Sequence, residues 1–311
     1  MTRPAGKLCR RNAACMLPET IEPPLAADDP MTLPSPSFTL PLPLAALAAT
    51  LLAVSAPAAR AAPDACIVQG ATIIESAYPT AARSADGTFV VDGAIIRLPE
   101  QNDSDAHAVV CRTWPSQPAL TLVAVPLMTR QADDGNEGDI ELLVVDSKKA
   151  TVRQRLRLPG LMTDDALYVS SVALDTAFYR LASRKIAFGL RLSLQGSSRP
   201  NPFGETTLWL FLVDDGKLRP VLDNIVVSSN RGEWDTNCAG EFENTERTLS
   251  MEPSPQSAIA DIVVSETTTT TVNVAGKDGA CLDTETAATA THRLRYDASA
   301  YRVPKTLSRV E

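Results

Sequence analysis

Histidine is the side chain best suited to proton transfer near neutral pH, and this chain of 311 residues has two, His107 and His292. His107 follows the acidic run Asp103-Ser104-Asp105-Ala106 in an exposed-looking stretch before Cys111. His292 stands between Thr291 and Arg293 in a β-type run. A Ser-His-Asp triad needs a serine presented on a sharp turn, and no G-x-S-x-G elbow occurs. Both histidines therefore read as solvated or hydrogen-bonding residues. Carboxylates offer more: Asp133, Asp134, Glu137 and Asp139 crowd into Asp-Asp-Gly-Asn-Glu-Gly-Asp. Two carboxylates can flank a glycosidic bond, and an oxygen-rich loop can hold calcium. The EF-hand spacing fails, because the third ligand position counted from Asp134 is Gly138. The cluster reads first as an acidic hairpin tip and only weakly as a calcium site. No CxxC or Cys/His cluster suggests zinc, and no motif calls for a cofactor.

Binding chemistry is better represented. Residues 198–204 present Arg199 and Phe203 among prolines that limit the segment's freedom. Residues 229–242 present Arg231, Trp234 and Phe242 beside Cys238. Exposed aromatic side chains with arginine are the composition of interface hot spots. For Trp234 the competing reading is a lid over the end of a β core. Trp209 alternates with apolar neighbours and reads as core.

The six cysteines are Cys9, Cys15, Cys66, Cys111, Cys238 and Cys281. Residues 41–61 form a short apolar core followed by small residues ending in Ala59-Arg60-Ala61, the pattern of an export signal with an A-x-A cleavage site. The run is too short and proline-broken for a spanning helix, which needs about 20 apolar residues. No Lys or Arg lies between Met31 and Val54, and Lys7, Arg10 and Arg11 are far upstream. Residues 1–30 thus read as an over-extended, disordered start, residues 31–61 as the signal, and residues 62–311 as one exported β-rich domain, with subdivision conceivable near 115 and 228. Cleavage after Ala61 leaves four cysteines. Of their three pairings, Cys66–Cys111 and Cys238–Cys281 are favoured, since each clips one local unit. Cys66 follows Ala-Pro-Asp-Ala, which is no lipid-attachment arrangement.

The chain carries 29 basic and 37 acidic residues; removing the five and four upstream of residue 62 leaves a net charge near −9. Nucleic acid and anionic membrane both require a basic footprint, so neither is an expected partner. A basic protein remains compatible.

The elements that must position these residues are strands. Period-two apolar runs recur between turn signals, and helical periodicity is scarce. Residues 88–98 carry Asp92-Gly93 between two β-branched runs, a strong hairpin signal. Strands are expected at 119–125, 139–145 and 151–158, the first two joined by an acidic loop at 131–138. Further strands are expected at 168–174, 178–181, 186–194, 208–213 and 218–222, with a turn-rich loop at 196–204. Residues 228–245 read as irregular, with Trp234-Asp235 in a loop. A last hairpin pairs 260–274 with 286–296, and the five threonines at 267–271 fit its β-propensity. The stems Ile140-Glu-Leu-Leu-Val-Val-Asp146 and Leu208-Trp-Leu-Phe-Leu-Val-Asp214 each end in Asp, turn, and return through a strand rich in Leu and Arg. Over about residues 115–225 the chain resembles the inner hairpins of β-propeller blades. As a whole it resembles uncharacterised exported proteins of Gram-negative bacteria, which implies a periplasmic address. The expected class is all-β, built of antiparallel hairpins and β-propeller-like, with a β-sandwich as the alternative.

Three functions fit this profile. The first is a non-enzymatic periplasmic binding protein with a protein partner, in one version an immunity-type inhibitor of a delivered toxin. The others are a carboxylate-dependent hydrolase of glycans and a structural envelope component.

Overall fold

A computed structural model describes residues 65–100 and 105–309. The expected leader, its cleavage site at Ala61 and the start at Met31 lie outside the described residues. The first element is a helix, α1 (Ala65–Ala77), which the β-branched composition of this stretch did not announce. Its buried residues Cys66, Gly70, Ile73, Ile74 and Ala77 fall at helical spacing and form one apolar stripe.

The first sheet comprises β1 (Ala82–Arg83), β2 (Phe89–Val91), β3 (Ala94–Ile96), β4 (Val110–Thr113), β5 (Leu120–Ala132), β6 (Gly135–Asp146) and β7 (Val152–Leu158). Its order is β1-β2-β3-β5-β6-β7, with β4 also paired to β5. The Asp92-Gly93 turn has both residues at positive φ, 48° and 83°, as a two-residue hairpin turn between twisted strands requires. In β5, Leu122, Ala124 and Met128 enter one apolar cluster, while Val123, Val125 and Leu127 enter another that includes α1. A strand covered on both faces loses its polar alternation and becomes a continuous apolar run. On the α1 side, Tyr78 donates to Glu141 at 2.5 Å and Arg155 holds the same carboxylate at 2.9 Å. Burial, then the hydrogen bond to Glu141, pushes the Tyr78 hydroxyl well above the usual tyrosine range.

The second sheet is an antiparallel meander in chain order: β8 (Leu167–Ala182), β9 (Lys185–Gly196), β10 (Phe203–Asp214), β11 (Lys217–Trp234), β12 (Gly240–Glu252), β13 (Asp261–Ala275) and β14 (Cys281–Leu294). Leu190, Leu192, Leu194, Trp209 and Phe211 pack with Leu122, Ile140 and Leu142 of the first sheet. The rings of Trp114 and Phe188 meet edge-on within this shared core, at 5.4 Å. On the other face, Leu208, Leu210 and Leu212 join Ile225, Ile262 and Val264, together with Tyr301 and Leu307. A short pair, β15 (Tyr296–Asp297) and β16 (Ala300–Tyr301), completes the described strands.

The class is all-β. The propeller-like stems are β6 and β10, but among the described residues they belong to two seven-stranded sheets packed face to face, the sandwich arrangement rather than blades. Three local expectations are corrected. Residues 228–245 are not irregular: β11 runs through Trp234 and β12 starts at Gly240. This stretch has few apolar residues, so no sustained apolar alternation marks it. The acidic loop shrinks to Asp133 and Asp134, because β5 and β6 extend to either side. The runs at 168–174 and 178–181 are one strand, β8, interrupted by an irregularity between Asp175 and Tyr179.

Candidate functional site

The five candidate binding residues gather at one end of the second sheet. Phe203 opens β10, Arg231 and Trp234 end β11, Phe242 lies near the start of β12, and Arg199 sits in the 197–202 connection. That connection runs along β11: Trp234 N donates to Pro200 O at 2.7 Å and Gly232 N to Pro202 O at 3.1 Å. It thereby brings Arg199 and Pro202 beside the tryptophan.

Strand alternation divides the residues between two faces. Gly232 is opposite Phe242 and Trp234 is opposite Gly240, so the two aromatics share one face. A Cβ on Gly232 would stand 2.5 Å from the Phe242 ring, and one on Gly240 3.0 Å from that ring and 3.2 Å from Trp234. The phenylalanine thus fills the space that two glycines leave open and lies towards Trp234. Together with Arg199, Pro202, Asn273 and the Cys238–Cys281 bridge they line a groove of about 450 Å³. Trp234 is half-buried and belongs to none of the three apolar clusters.

The opposite face carries Phe203, Arg231, Glu233, Glu241 and Glu243, which line a second groove of about 610 Å³. Glu233 and Glu241 are direct cross-strand partners, and like charges in that relation are unfavourable. Arg231 stands over the Phe203 ring at 5.8 Å and reaches the buried Glu205 at 3.4 Å. Arg309 approaches the same carboxylate at 3.9 Å. At the tip, Asp235 accepts from the amides of Asn237 and Cys238, each at 2.9 Å. Hydrogen bonds from backbone amides, Asn237 foremost, hold its carboxyl below the usual carboxylate range. The disulfide ties this turn to the first residue of β14 across 5.6 Å between Cα atoms. The other expected bridge, Cys66–Cys111, pins α1 to β4.

The remaining candidates are dispersed. Asp134 and Glu137 are both paired with Arg130, Glu137 at 3.9 Å. Asp139 accepts from Gly160 N at 2.7 Å and Arg157 at 2.6 Å. Burial raises the Asp139 carboxyl, but these two donors outweigh it and the net shift is downward. Among the described residues no group of three or more His, Cys, Asp or Glu is placed to hold a metal ion. His107 is more enclosed than its acidic setting suggests, with 18 % of the side chain exposed; its Nδ1 meets Asp105 at 3.3 Å. His292 Nε2 lies 3.7 Å from Glu266, which Arg247 holds at 2.6 Å.

Sequence reasoning missed Pro202 and the strip Glu233, Glu241 and Glu243. Their spacing of two is a strand signal, but it becomes readable only once β11 and β12 are extended through this region. No helix among the described residues is long and apolar enough to cross a membrane. No protein-family model, curated protein or solved structure matches the chain, so the site rests on its own geometry.

Proposed function

We propose that this chain is an exported binding protein that works in the periplasm or outside the cell and captures a protein partner of basic character. The particular version favoured is an immunity-type inhibitor that occupies the cleft of a delivered toxin. The carrying observation is the tip of the β11–β12 hairpin, where Trp234 and Phe242 line a groove on one face and Glu233, Glu241 and Glu243 line the other. A half-buried tryptophan ringed by arginine and proline has the make-up of a hot spot. The disulfide in the hairpin's turn ties it to β14, which pre-orders the hairpin and lowers the entropic cost of binding. Glu233 and Glu241, which face each other and make no ion pair among the described residues, supply steering for a cationic surface. The export signal at 41–61 and the two disulfides support an oxidising compartment.

The test is capture from an envelope extract on the immobilised protein, beside Trp234→Ala and a Glu233→Lys/Glu241→Lys double variant. A basic protein retained by the parent should be released by salt and lost from both variants, with Trp234→Ala weakening binding by about 2 kcal/mol or more. Equal capture by all three proteins would overturn the assignment.

A further inference from the structure

The second sheet ends in a strand whose outer side is bare. β13 pairs with β14 from Ile262↔Leu294 to Ala275↔Cys281 without a register shift. No described strand lies on the far side of β14, so its outward N–H and C=O groups form a regular unpaired row. Every side chain from Cys281 to Thr291 is exposed. Such an edge recruits another strand unless charge, proline or a bulge blunts it. The outer strands β7 and β8 show that protection. β7 carries Arg153, Arg155 and Arg157, and the β8–β9 ladder is broken by three register shifts. Between Leu282 and Thr291, β14 has no Lys, Arg or Pro.

The charges along β14 indicate what pairs with it. Asp283 and Glu285 stand at its beginning, Arg293 near its end and Arg295 directly after it, and residues 286–291 between them are Thr-Ala-Ala-Thr-Ala-Thr. An antiparallel copy of the same strand reverses that order and sets acid against base. We propose that two copies of this chain associate through their β14 edges about a two-fold axis at Thr289. In this register Glu285 opposes Arg293, Asp283 opposes Arg295, and Ala288 opposes Ala290. The pairs within β14 keep strand parity, so those partners share a face, and Arg295, one residue past the strand, has the reach to meet Asp283. Asp283, Glu285 and Arg295 make no ion pair among the described residues, and Arg293, though it holds Glu252 and Asp261, keeps 42 % of its side chain exposed. The interface is isologous and closes at two copies.

The oxidised protein should sediment as a monomer–dimer equilibrium that shifts towards monomer as salt rises, since the ion pairs are exposed. Asp283→Arg or Arg295→Glu alone should weaken the dimer about fivefold or more, because each change is felt twice across the axis. The double reversal should restore it. Residues directly opposite in an antiparallel pair have Cα atoms about 4.5–5.5 Å apart, within disulfide reach. Thr289→Cys should therefore form a covalent dimer on mild oxidation. Thr286→Cys, equally exposed but about 20 Å from its own copy, should not. Circular dichroism of each variant confirms that the fold is retained. A protein that stays monomeric at every concentration, or cross-links through Thr286→Cys rather than Thr289→Cys, would overturn the proposal.

Discussion

Trp114 is 1 % exposed and packs edge-on against Phe188, whereas Trp234 is half-buried at a strand end and outside the apolar clusters. Truncating the first removes a ring from the core shared by both sheets. Trp114→Ala should cost about 3–5 kcal/mol, the transfer term plus the cavity left behind. Trp234→Ala should cost below about 1 kcal/mol, because solvent already reaches the ring and no core contact is lost. Urea unfolding followed by circular dichroism measures both; a loss above about 3 kcal/mol for Trp234→Ala would make it a structural lid. The same contrast explains what was legible residue by residue. Trp209 could be read as core because Leu208 and Leu210 flank it in an apolar run. Trp234 could not be decided, since Glu233 and Asp235 beside it are polar on both sides and its apolar companion Phe242 comes from the neighbouring strand.

Within β8 the backbone irregularity at Asp175 is held by its own side chain. The carboxylate accepts from Ala177 N at 2.9 Å, Tyr179 Oη at 2.8 Å and Arg191 Nε at 2.7 Å. Burial raises the Asp175 carboxyl, but these three donors outweigh it and the native value falls below the usual range. With the native value depressed, the unfolded chain binds the proton more readily. The contribution is complete above the unfolded value, about pH 4, and is lost as pH falls through the native one. Asp175→Asn should cost about 2 kcal/mol at pH 7 by weakening a charge-assisted network. It should also flatten the acid limb of the stability–pH profile, as thermal melts between pH 2 and 7 would register. An acid limb as steep as the parent's would remove this residue from the account. From sequence the same place reads as a gap between two strands, because Asp-Thr-Ala interrupts the alternation. The ladder resumes at Tyr179, and the Asp175 carboxylate satisfies Ala177 N in the irregular stretch between, which no local pattern encodes. Strands with one apolar face, such as β9, were readable for the opposite reason.

Across the whole molecule, the two disulfides close loops of similar length, 45 and 43 residues, and the chain-entropy model assigns each about 4 kcal/mol. Their surroundings differ. Cys66 and Cys111 are 3 % and 8 % exposed inside the cluster that seats α1 on the first sheet, while Cys238 bridges to the exposed Cys281 at the far tip of the second. Thiol–disulfide exchange needs an attacking thiolate to reach a sulfur, so access separates the two bonds even where loop entropy does not. Limited dithiothreitol under native conditions should open Cys238–Cys281 first, giving a species alkylated at those two residues alone. Cys66–Cys111 should react only when the protein unfolds. The intermediate should keep its sheet signal and, if the tip binds the partner proposed above, bind it more weakly, because the hairpin that presents Trp234 and Phe242 is no longer tied to β14. Peptide mapping after timed alkylation distinguishes the outcomes. Simultaneous labelling of all four cysteines would mean that the tip and the α1 cluster open as one cooperative unit, and that the bridge beside the aromatic groove is as much a part of the fold's foundation as the one beneath the helix.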